Sequence, residues 1–196
     1  MRVLVACEVS GVVRDAFLAR GHDAYSCDIT KTDRQTDRHI MADVLTVLHE
    51  GWDLMIAHPP CTYMSSSGLH WNKRRPGRAS LTDAAVEFAL ALAAAPVKRI
   101  AIENPIGCLS TRWRKPDQII QPWQFGHDAS KATCLWLKNL PLLRHTNVLE
   151  GGRAARRGNQ TPSGQNRLGP SPERAALRAR TYEGIAAAFA DQWGAL

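Results

Sequence analysis

VLVACEVSGVVRDAFLARGHDAYSCD, residues 3–28, contains a complete β-α-β unit. Residues 3–6 form a short apolar run with β-branched side chains. Residues 11–20 carry apolar side chains at helical spacing, before a glycine that stops the helix. A second short strand, residues 24–27, runs into Asp28. The sequence therefore predicts two strands joined by a helix, with an acidic residue at the end of the second strand.

The same alternation continues along the chain. An alanine-rich helix is predicted with Thr82 or Ser80 as its N-cap. Alternating strands and helices predict an α/β, Rossmann-like fold, in which a mostly parallel sheet is flanked by helices. The further strands are predicted at residues 40–43, 53–57, 99–102 and 133–137, and the further helices at 44–49, 82–95 and 182–193.

Composition limits the class of protein. The chain has 196 residues, 44% of them hydrophobic, which predicts one globular domain over residues 1–196. No apolar run approaches the roughly 20 residues of a membrane span, and the opening run is too short for a signal peptide, so we expect a cytoplasmic protein without a membrane partner. Five scattered cysteines and seven widely spaced histidines predict neither a disulfide framework nor a metal site.

Most of the excess positive charge lies in one segment. Residues 151–180 contain seven arginines against Glu173, a local net charge of +6 out of +7 for the chain. This segment is rich in glycine, proline and serine, which predicts a basic, flexible segment within the domain. A second basic cluster follows Trp71, and two arginine-rich loops favour a nucleic acid as partner over a solvated surface. The candidate contacts are Lys73, Arg74, Arg75, Arg153, Arg156 and Arg157.

In open α/β sheets, ligands bind beyond the carboxyl ends of the strands. The turn at residues 7–11 lacks the glycines of a pyrophosphate-binding loop. Carboxylates after the second and third strands can instead bind ribose hydroxyls and an adenine amine, which suits a nucleoside cofactor. The polar groups predicted at this edge are Glu8, Ser10, Gly11, Asp28, Asp43, Cys61 and Glu103.

Two of these residues have chemistry of their own. Pro59 and Pro60 fix the backbone ahead of Cys61 and direct its thiol to the ligand edge, where a thiolate stabilised by cations can attack an electron-poor carbon. Glu103 ends an apolar strand that we expect beside the strand of Cys61. A partly desolvated carboxyl there could share a proton with an amidine-like edge.

Pro59-Pro60-Cys61 and Glu103-Asn104-Pro105, in this order, resemble the catalytic Pro-Cys and Glu-Asn-Val motifs of the DNA cytosine-C5 methyltransferases. Residues 3–28 are similar to that family's S-adenosylmethionine-binding unit. Residues 121–133 resemble a changed form of its Gln-x-Arg-x-Arg segment, with Lys131 on the first arginine. As a whole, the chain resembles the small methyltransferase-like proteins of phages and prophages.

The chain departs from this family at three places. The glycine-rich loop is replaced by residues 7–11, and the Gln-x-Arg-x-Arg segment carries Ala129, Lys131 and Thr133. The large target-recognition domain is missing, since only residues 141–180 lie between the last predicted strand and the closing helix. The basic segment stands in its place, which predicts salt-sensitive binding of DNA with low sequence selectivity.

The resemblance implies a Rossmann-like methyltransferase in a bacterial or phage-infected cell. Cys61 would add to C6 of cytosine in DNA, C5 would take the methyl group of S-adenosyl-L-methionine, Glu103 would hold N3 and the exocyclic amine, and Lys131 would help to ionise Cys61. The resemblance implies no metal. The cofactor contacts that it implies are Glu8, Ser10, Gly11, Asp28, Asp43, Pro59 and Thr181.

Alternatives stay open at this point. The same thiol chemistry could act on a cytosine nucleotide, on RNA or with a modified one-carbon donor. The chain could also be a non-catalytic nucleic-acid-binding relative, which the glycine-poor first loop favours. A cysteine hydrolase is disfavoured, because His58 lies three residues before Cys61 on the same turn. The sequence leaves the target sequence and the oligomeric state undetermined.

Overall fold

The structure, a computed structural model, describes residues 1–164, 166–169, 171 and 173–196. Within these residues the chain forms a seven-stranded sheet in the order β3-β2-β1-β4-β5-β7-β6. The pairs among β1 to β5 are all parallel, whereas β7 runs antiparallel to both β5 and β6. The predicted Rossmann-like, mostly parallel sheet is confirmed. The strands are β1 Arg2–Ala6, β2 Asp23–Asp28, β3 His39–Met41, β4 Leu54–Ala57, β5 Arg99–Pro105, β6 Gln118–Ile120 and β7 Thr133–Lys138.

Helices cover both faces of the sheet. Along β1, Leu4 packs into one apolar core together with α3, while Val3 and Val5 pack into a second core with α1 and α6. Central strands that are buried on both faces need continuous apolar runs, which explains the sequences of β1 and β4. The helices are α1 Val12–Leu18, α2 Ser66–Leu69, α3 Arg78–Ala93, α4 Leu109–Arg112, α5 Arg174–Ala179 and α6 Glu183–Trp193.

The structure differs from the predicted elements in several places, and the short helices α2, α4 and α5 were not predicted. The helix predicted at residues 44–49 is a single 3₁₀ turn, Val44–Thr46, capped by Asp43. The alanine-rich helix α3 begins at Arg78, so Thr82 lies inside it, with its hydroxyl donating to the carbonyl oxygen of Tyr63 at 2.9 Å. Strand β6 was not predicted, because three residues are too few to show a period.

No helix among the described residues is both long and apolar enough to cross a membrane.

Candidate functional site

Cys61 and Glu103 belong to neighbouring elements of the sheet. Cys61 follows β4, Glu103 lies in β5, and these strands pair in parallel, with Ala57 opposite Ile102. The predicted proximity of the two strands is therefore confirmed. Their carboxyl ends lie on one edge of the sheet, the edge where open α/β proteins bind ligands.

The loops that follow these two strands are bonded to each other. The side-chain amide of Asn104 donates to the carbonyl oxygen of Pro59 at 2.7 Å, and the backbone N–H of Cys108 donates to the carbonyl oxygen of Met64 at 2.9 Å. Gly107 permits this approach, because a Cβ there would collide with the Met64 carbonyl group. The Pro-Pro-Cys and Glu-Asn-Pro segments are thus joined by a direct hydrogen bond.

Glu103 is nearly buried and favours its ionised form. Its Oε2 atom lies 3.0 Å from Nδ1 of His58, and 14% of its side chain is exposed. Burial opposes ionisation, but the hydrogen bond from His58, the charge of Lys131 and a hydrogen bond from Thr133 outweigh it, so the pKa of Glu103 lies below its usual value. The sequence suggested that Glu103 could share a proton with an amidine-like edge. The lowered pKa instead favours an ionised Glu103, and a carboxylate only accepts hydrogen bonds.

Cys61 lies at the surface and favours its thiol form. Loss of water around the sulfur raises its pKa, and the charge of Glu103 raises it further. Lys131 and Arg178 lower the pKa of Cys61 without cancelling these effects. The charge of Lys131 thus favours the Cys61 thiolate, whereas the balance of these effects favours the thiol.

Lys131 and Thr181 lie together beside Glu103. The Nζ atom of Lys131 is 3.5 Å from the carbonyl oxygen of Arg180, and its backbone N–H donates to Gln121 Oε1 at 3.0 Å. Thr181, expected near the cofactor, thus shares a small cavity with Glu103 and Lys131. That cavity is lined by Glu103, Lys131, Thr133, Thr181, Tyr182 and Ile185.

Glu8 faces the interior of the protein. It is 4% exposed, and its carboxylate accepts from the backbone N–H groups of Val13 at 2.8 Å and Arg14 at 3.2 Å. The Ser10 hydroxyl donates to the same carboxylate at 3.3 Å. These N–H groups and the helix dipole favour an anion at the start of α1. Glu8 is a buried cap of α1, a placement that does not match a residue facing a cofactor.

The turn from β1 into α1 has an unusual backbone. Cys7 has a φ of 59° and Gly11 a φ of 68°, both in the left-handed region. Glycine is favoured at position 11 for two reasons. Its φ is positive, and a side chain there would collide with the buried guanidinium of Arg14. The turn is therefore held by close packing rather than by a run of glycines.

Asp28 and Asp43 lie close to Cys7 at the ends of β2 and β3. One oxygen of Asp28 accepts from the N–H of Thr30 at 2.8 Å, and one oxygen of Asp43 from the N–H of Leu45 at 3.0 Å. Burial, with the two carboxylates and another thiol adding to it, raises the pKa of Cys7 to about 12. Among the described residues, no cation forms an ion pair with either aspartate. This end of the site is therefore anionic.

The first basic cluster surrounds an aromatic ring. Lys73, Arg74 and Arg75 are exposed at the end of the 3₁₀ turn His70–Lys73. The guanidinium of Arg75 lies 4.4 Å from the ring centroid of Trp71, and that of Arg74 lies 5.8 Å from it. These positions leave the charges accessible to a polyanion.

The second basic segment is attached to the domain. The N–H of Gly158 donates to Asp128 Oδ2 at 2.9 Å. The side chain of Asn159 accepts from the N–H of Ser130 at 2.9 Å and donates to its carbonyl oxygen at 3.0 Å. These bonds hold residues 158–159 against the loop before β7.

The three arginines predicted in this segment do not share one role. Arg153 and Arg156 are exposed, whereas Arg157 is 5% exposed. The Arg157 guanidinium donates to the carbonyl oxygen of Gly152 at 2.6 Å and lies 5.3 Å from the ring centroid of Trp123. Arg157 is thus buried against its own protein, where a phosphate cannot reach it, and the prediction needs correction at this position.

Three residues at the site escaped the sequence analysis as functional candidates. His58 bonds to Glu103, and the charge of Arg178 acts on Cys61 from α5. Arg78 donates to the carbonyl oxygen of Thr62 at 3.1 Å and so holds the loop that follows Cys61. Of these three residues, only His58 could have been identified from the sequence, because it lies in the turn before Cys61.

A second, larger cavity of about 210 Å³ lies between α1 and α6 and includes none of the catalytic candidates in its lining. Within the described residues, no three or more His, Cys, Asp or Glu side chains are grouped so as to hold a metal ion.

Comparison with known proteins finds relatives by structure only. No protein-family model matches the chain, and no curated protein matches it. One similar solved structure is an Escherichia coli prophage protein assigned as a DNA modification methyltransferase, with a TM-score of 0.48 and 14% identity, covering 70% of this chain and 46% of that one. Another is the methyltransferase EhMeth of Entamoeba histolytica, with a TM-score of 0.48 and 15% identity, covering 76% of this chain and 57% of that one. The chain thus spans about half the length of these proteins.

Proposed function

We propose that this protein transfers a methyl group from S-adenosyl-L-methionine to C5 of cytosine in DNA through a covalent bond between Cys61 and C6. The observation that carries the proposal is the joined pair of loops, in which Asn104 donates to the carbonyl oxygen of Pro59 at 2.7 Å. This bond holds a thiol and a carboxylate in a fixed relation on the ligand edge of the sheet.

The residues at the ends of β2 and β3 suit the cofactor. When bound, S-adenosylmethionine supplies an electrophilic methyl group on a positively charged sulfur. Asp28 and Asp43 offer two carboxylates near Cys7, and each uses only one oxygen for a backbone bond. Carboxylates accept from ribose hydroxyls and amines and attract a cation. Glu8 is excluded from this set, because both its oxygens cap α1.

The ionisation states of Cys61 and Glu103 suit addition across the cytosine ring. The resting pair is a thiol and a carboxylate, since the pKa of Cys61 is raised and that of Glu103 lowered. The sulfur bonds to C6 while its proton passes through Glu103 to N3, which makes C5 nucleophilic. After methylation the C5 proton passes to water, and its electron pair forms the C5–C6 double bond as the sulfur leaves C6 as a thiolate. The N3 proton then returns to the thiolate.

The exposed basic residues suit a DNA substrate. A cytosine in a duplex must leave the base stack before Cys61 can reach C6, at a cost of a few kcal/mol. Phosphate contacts from Lys73, Arg74, Arg75, Arg153 and Arg156 would offset this cost, and Arg178 lies near enough to Cys61 to act on its charge.

The test is incorporation of a labelled methyl group from S-adenosylmethionine into DNA, followed by identification of 5-methylcytosine. Duplex DNA, single-stranded DNA, RNA and cytidine mononucleotide are compared as acceptors. Transfer to RNA or the nucleotide alone would contradict the DNA substrate, and transfer to another atom would contradict the proposed chemistry. Calorimetry with S-adenosylhomocysteine is the matching control, because absence of binding would identify a non-catalytic relative.

A further inference from the structure

His58 contributes an imidazole that the proposed reaction leaves without a role. Its Nδ1 atom lies 3.0 Å from Oε2 of Glu103, and 11% of its side chain is exposed. The other ring nitrogen, Nε2, is buried and has no hydrogen-bond partner among the described residues. The imidazole is therefore bonded on one side only.

The hydrogen bond between His58 and Glu103 has one direction. Because the Glu103 carboxylate can only accept, the hydrogen lies on Nδ1 of His58, which donates to Oε2 of Glu103. Nε2, on the other side of the ring, has no hydrogen-bond partner among the described residues, Cys61 included.

We infer that His58 is a positioning residue, which holds Glu103 as an oriented carboxylate for a cytosine protonated at N3. This inference rests on the proposed function. Two neighbouring N–H groups, those of the exocyclic amine and of protonated N3, match the two oxygens of a carboxylate. Protonation at N3 is the state that accepts a thiol at C6. A carboxylate fixed by His58 therefore favours the activated base over the resting one.

Other groups also act on Glu103. Lys131 and Thr133 face it from the segment before and at the start of β7, Cys61 faces it from the loop after β4, and Cys134 lies near it in β7. Lys131 and Thr133 remain when His58 is replaced, so removal of the imidazole raises the pKa of the carboxyl without returning it to that of an isolated buried group.

Three substitutions separate the position of the hydrogen bond from the bulk of the ring. His58→Asn places an amide nitrogen close to the position of Nδ1, whereas His58→Gln places it close to the position of Nε2, which has no partner. His58→Ala should lower kcat by on the order of 10–100-fold, by analogy with the loss of groups that orient metal-ligating side chains. His58→Asn should recover most of this loss and His58→Gln should not.

The pH dependence supplies a readout that loss of packing would not move. In His58→Ala the acid limb of kcat should shift to higher pH, and in His58→Asn it should return towards that of the wild type. Equal activity of the Asn and Gln variants, or an acid limb that does not move, would overturn the inference. Thermal unfolding of all three variants establishes that each is folded.

A titration independent of catalysis separates this inference from the proposed function. The ¹³C carboxyl signal of Glu103, identified by its loss in Glu103→Gln, should titrate at higher pH in His58→Ala than in the wild type. Absence of any methyl transfer by the wild type would refute the proposed function alone. An unchanged carboxyl titration would refute the role of His58 alone.

Discussion

The two halves of the ligand edge use similar residues in different ways. At the ends of β1, β2 and β3, the carboxylates of Glu8, Asp28 and Asp43 accept backbone N–H groups of their own turns. At the ends of β4 and β5, Glu103 accepts instead from His58, a side chain of another strand's loop. An acidic residue at a strand end can thus bond to the backbone of its own turn or to a side chain from another strand's loop.

The difference also appears in the ionisation of the thiols. Burial, followed by the charges of Asp28, Cys27 and Asp43, raises the pKa of Cys7 to about 12. Near Cys61 the charges of Lys131 and Arg178 partly oppose that of Glu103. The structure therefore provides one anionic half that suits a cationic cofactor and one half with mixed charges that suits thiol chemistry.

The largest effect is expected at Cys61. Cys61→Ser should lower methyl transfer by on the order of 10⁴-fold or more, because the covalent bond to C6 is lost. Labelled methyl incorporation into DNA measures this loss. Cys108→Ala, at a buried cysteine outside the proposed chemistry, is the matched control and should keep most of the activity. Full transfer by Cys61→Ser would disprove the covalent mechanism.

Glu8→Gln tests whether Glu8, at the end of β1, stabilises the fold rather than binding the cofactor. Replacing the buried capping carboxylate should lower the free energy of unfolding by about 1–3 kcal/mol, because a charge-assisted bond to the start of α1 is lost. Denaturant unfolding gives this value. The dissociation constant of the cofactor in the folded protein should stay nearly constant. A selective loss of cofactor binding with unchanged stability would assign Glu8 to the cofactor site after all.

Asp28→Asn and Asp43→Asn probe the remaining carboxylates. Asparagine caps a turn about as well as aspartate, so each variant should keep its backbone bond and its stability. The loss of charge should raise the cofactor KM about tenfold with little change in kcat, as expected for one charge-assisted hydrogen bond. If neither variant changes KM, the cofactor does not bind at this end of the sheet.

The reactivity of Cys61 with iodoacetamide reports its ionisation. Because the pKa of Cys61 is raised, the thiolate fraction is small at neutral pH, and alkylation should still accelerate as the pH rises through 9. Glu103→Gln removes a charge that raises this pKa and should speed the reaction at pH 7.5 about two- to tenfold, whereas Lys131→Ala should slow it. Mass spectrometry of the Cys61 peptide gives the rates. Equal rates in all three proteins would contradict the described charge coupling.

The smallest effect is expected on the salt dependence of DNA binding. The neighbouring residues Arg156 and Arg157 allow a matched comparison of this effect. Arg156→Ala should reduce the slope of log affinity for DNA against log salt concentration by about 0.9, as expected for one phosphate contact, and leave stability unchanged. Arg157→Ala should lower the melting temperature, because its guanidinium bonds to Gly152 inside the protein. Fluorescence anisotropy at several salt concentrations and thermal unfolding measure the two effects. The opposite result would place the phosphate contact at Arg157.

The predictable part of the fold is the part with a strong local pattern. Strands β1 and β4 are continuous apolar runs because both their faces are buried. Such a run can be recognised from the amino-acid sequence alone. Strand β7 was predicted, but its antiparallel direction was not, since direction depends on how the chain returns through β6. The extent of α3 was missed at its start because Gly77 precedes it without a side-chain cap.

The candidate site likewise has a part that the sequence predicted and a part that it did not. Cys61 and Glu103 were predicted together because polar residues that end neighbouring strands must meet at one edge. The bond between His58 and Glu103 joins residues 45 positions apart, and no local pattern contains it. The burial of Arg157 beside the exposed Arg156 likewise depends on which side chain faces Trp123.

The amino-acid sequence by itself determined the alternation of strands and helices, the edge at which polar residues collect, and the pairing of a thiol with a carboxylate. These follow from hydrophobic periodicity and from proline and glycine placement, which act over a few residues. The tertiary structure alone decided which carboxylates are caps, which arginines are buried, and that Glu103 is a carboxylate held by His58 beside a Cys61 thiol. Burial and charge act through space, so they are set only when distant segments come together.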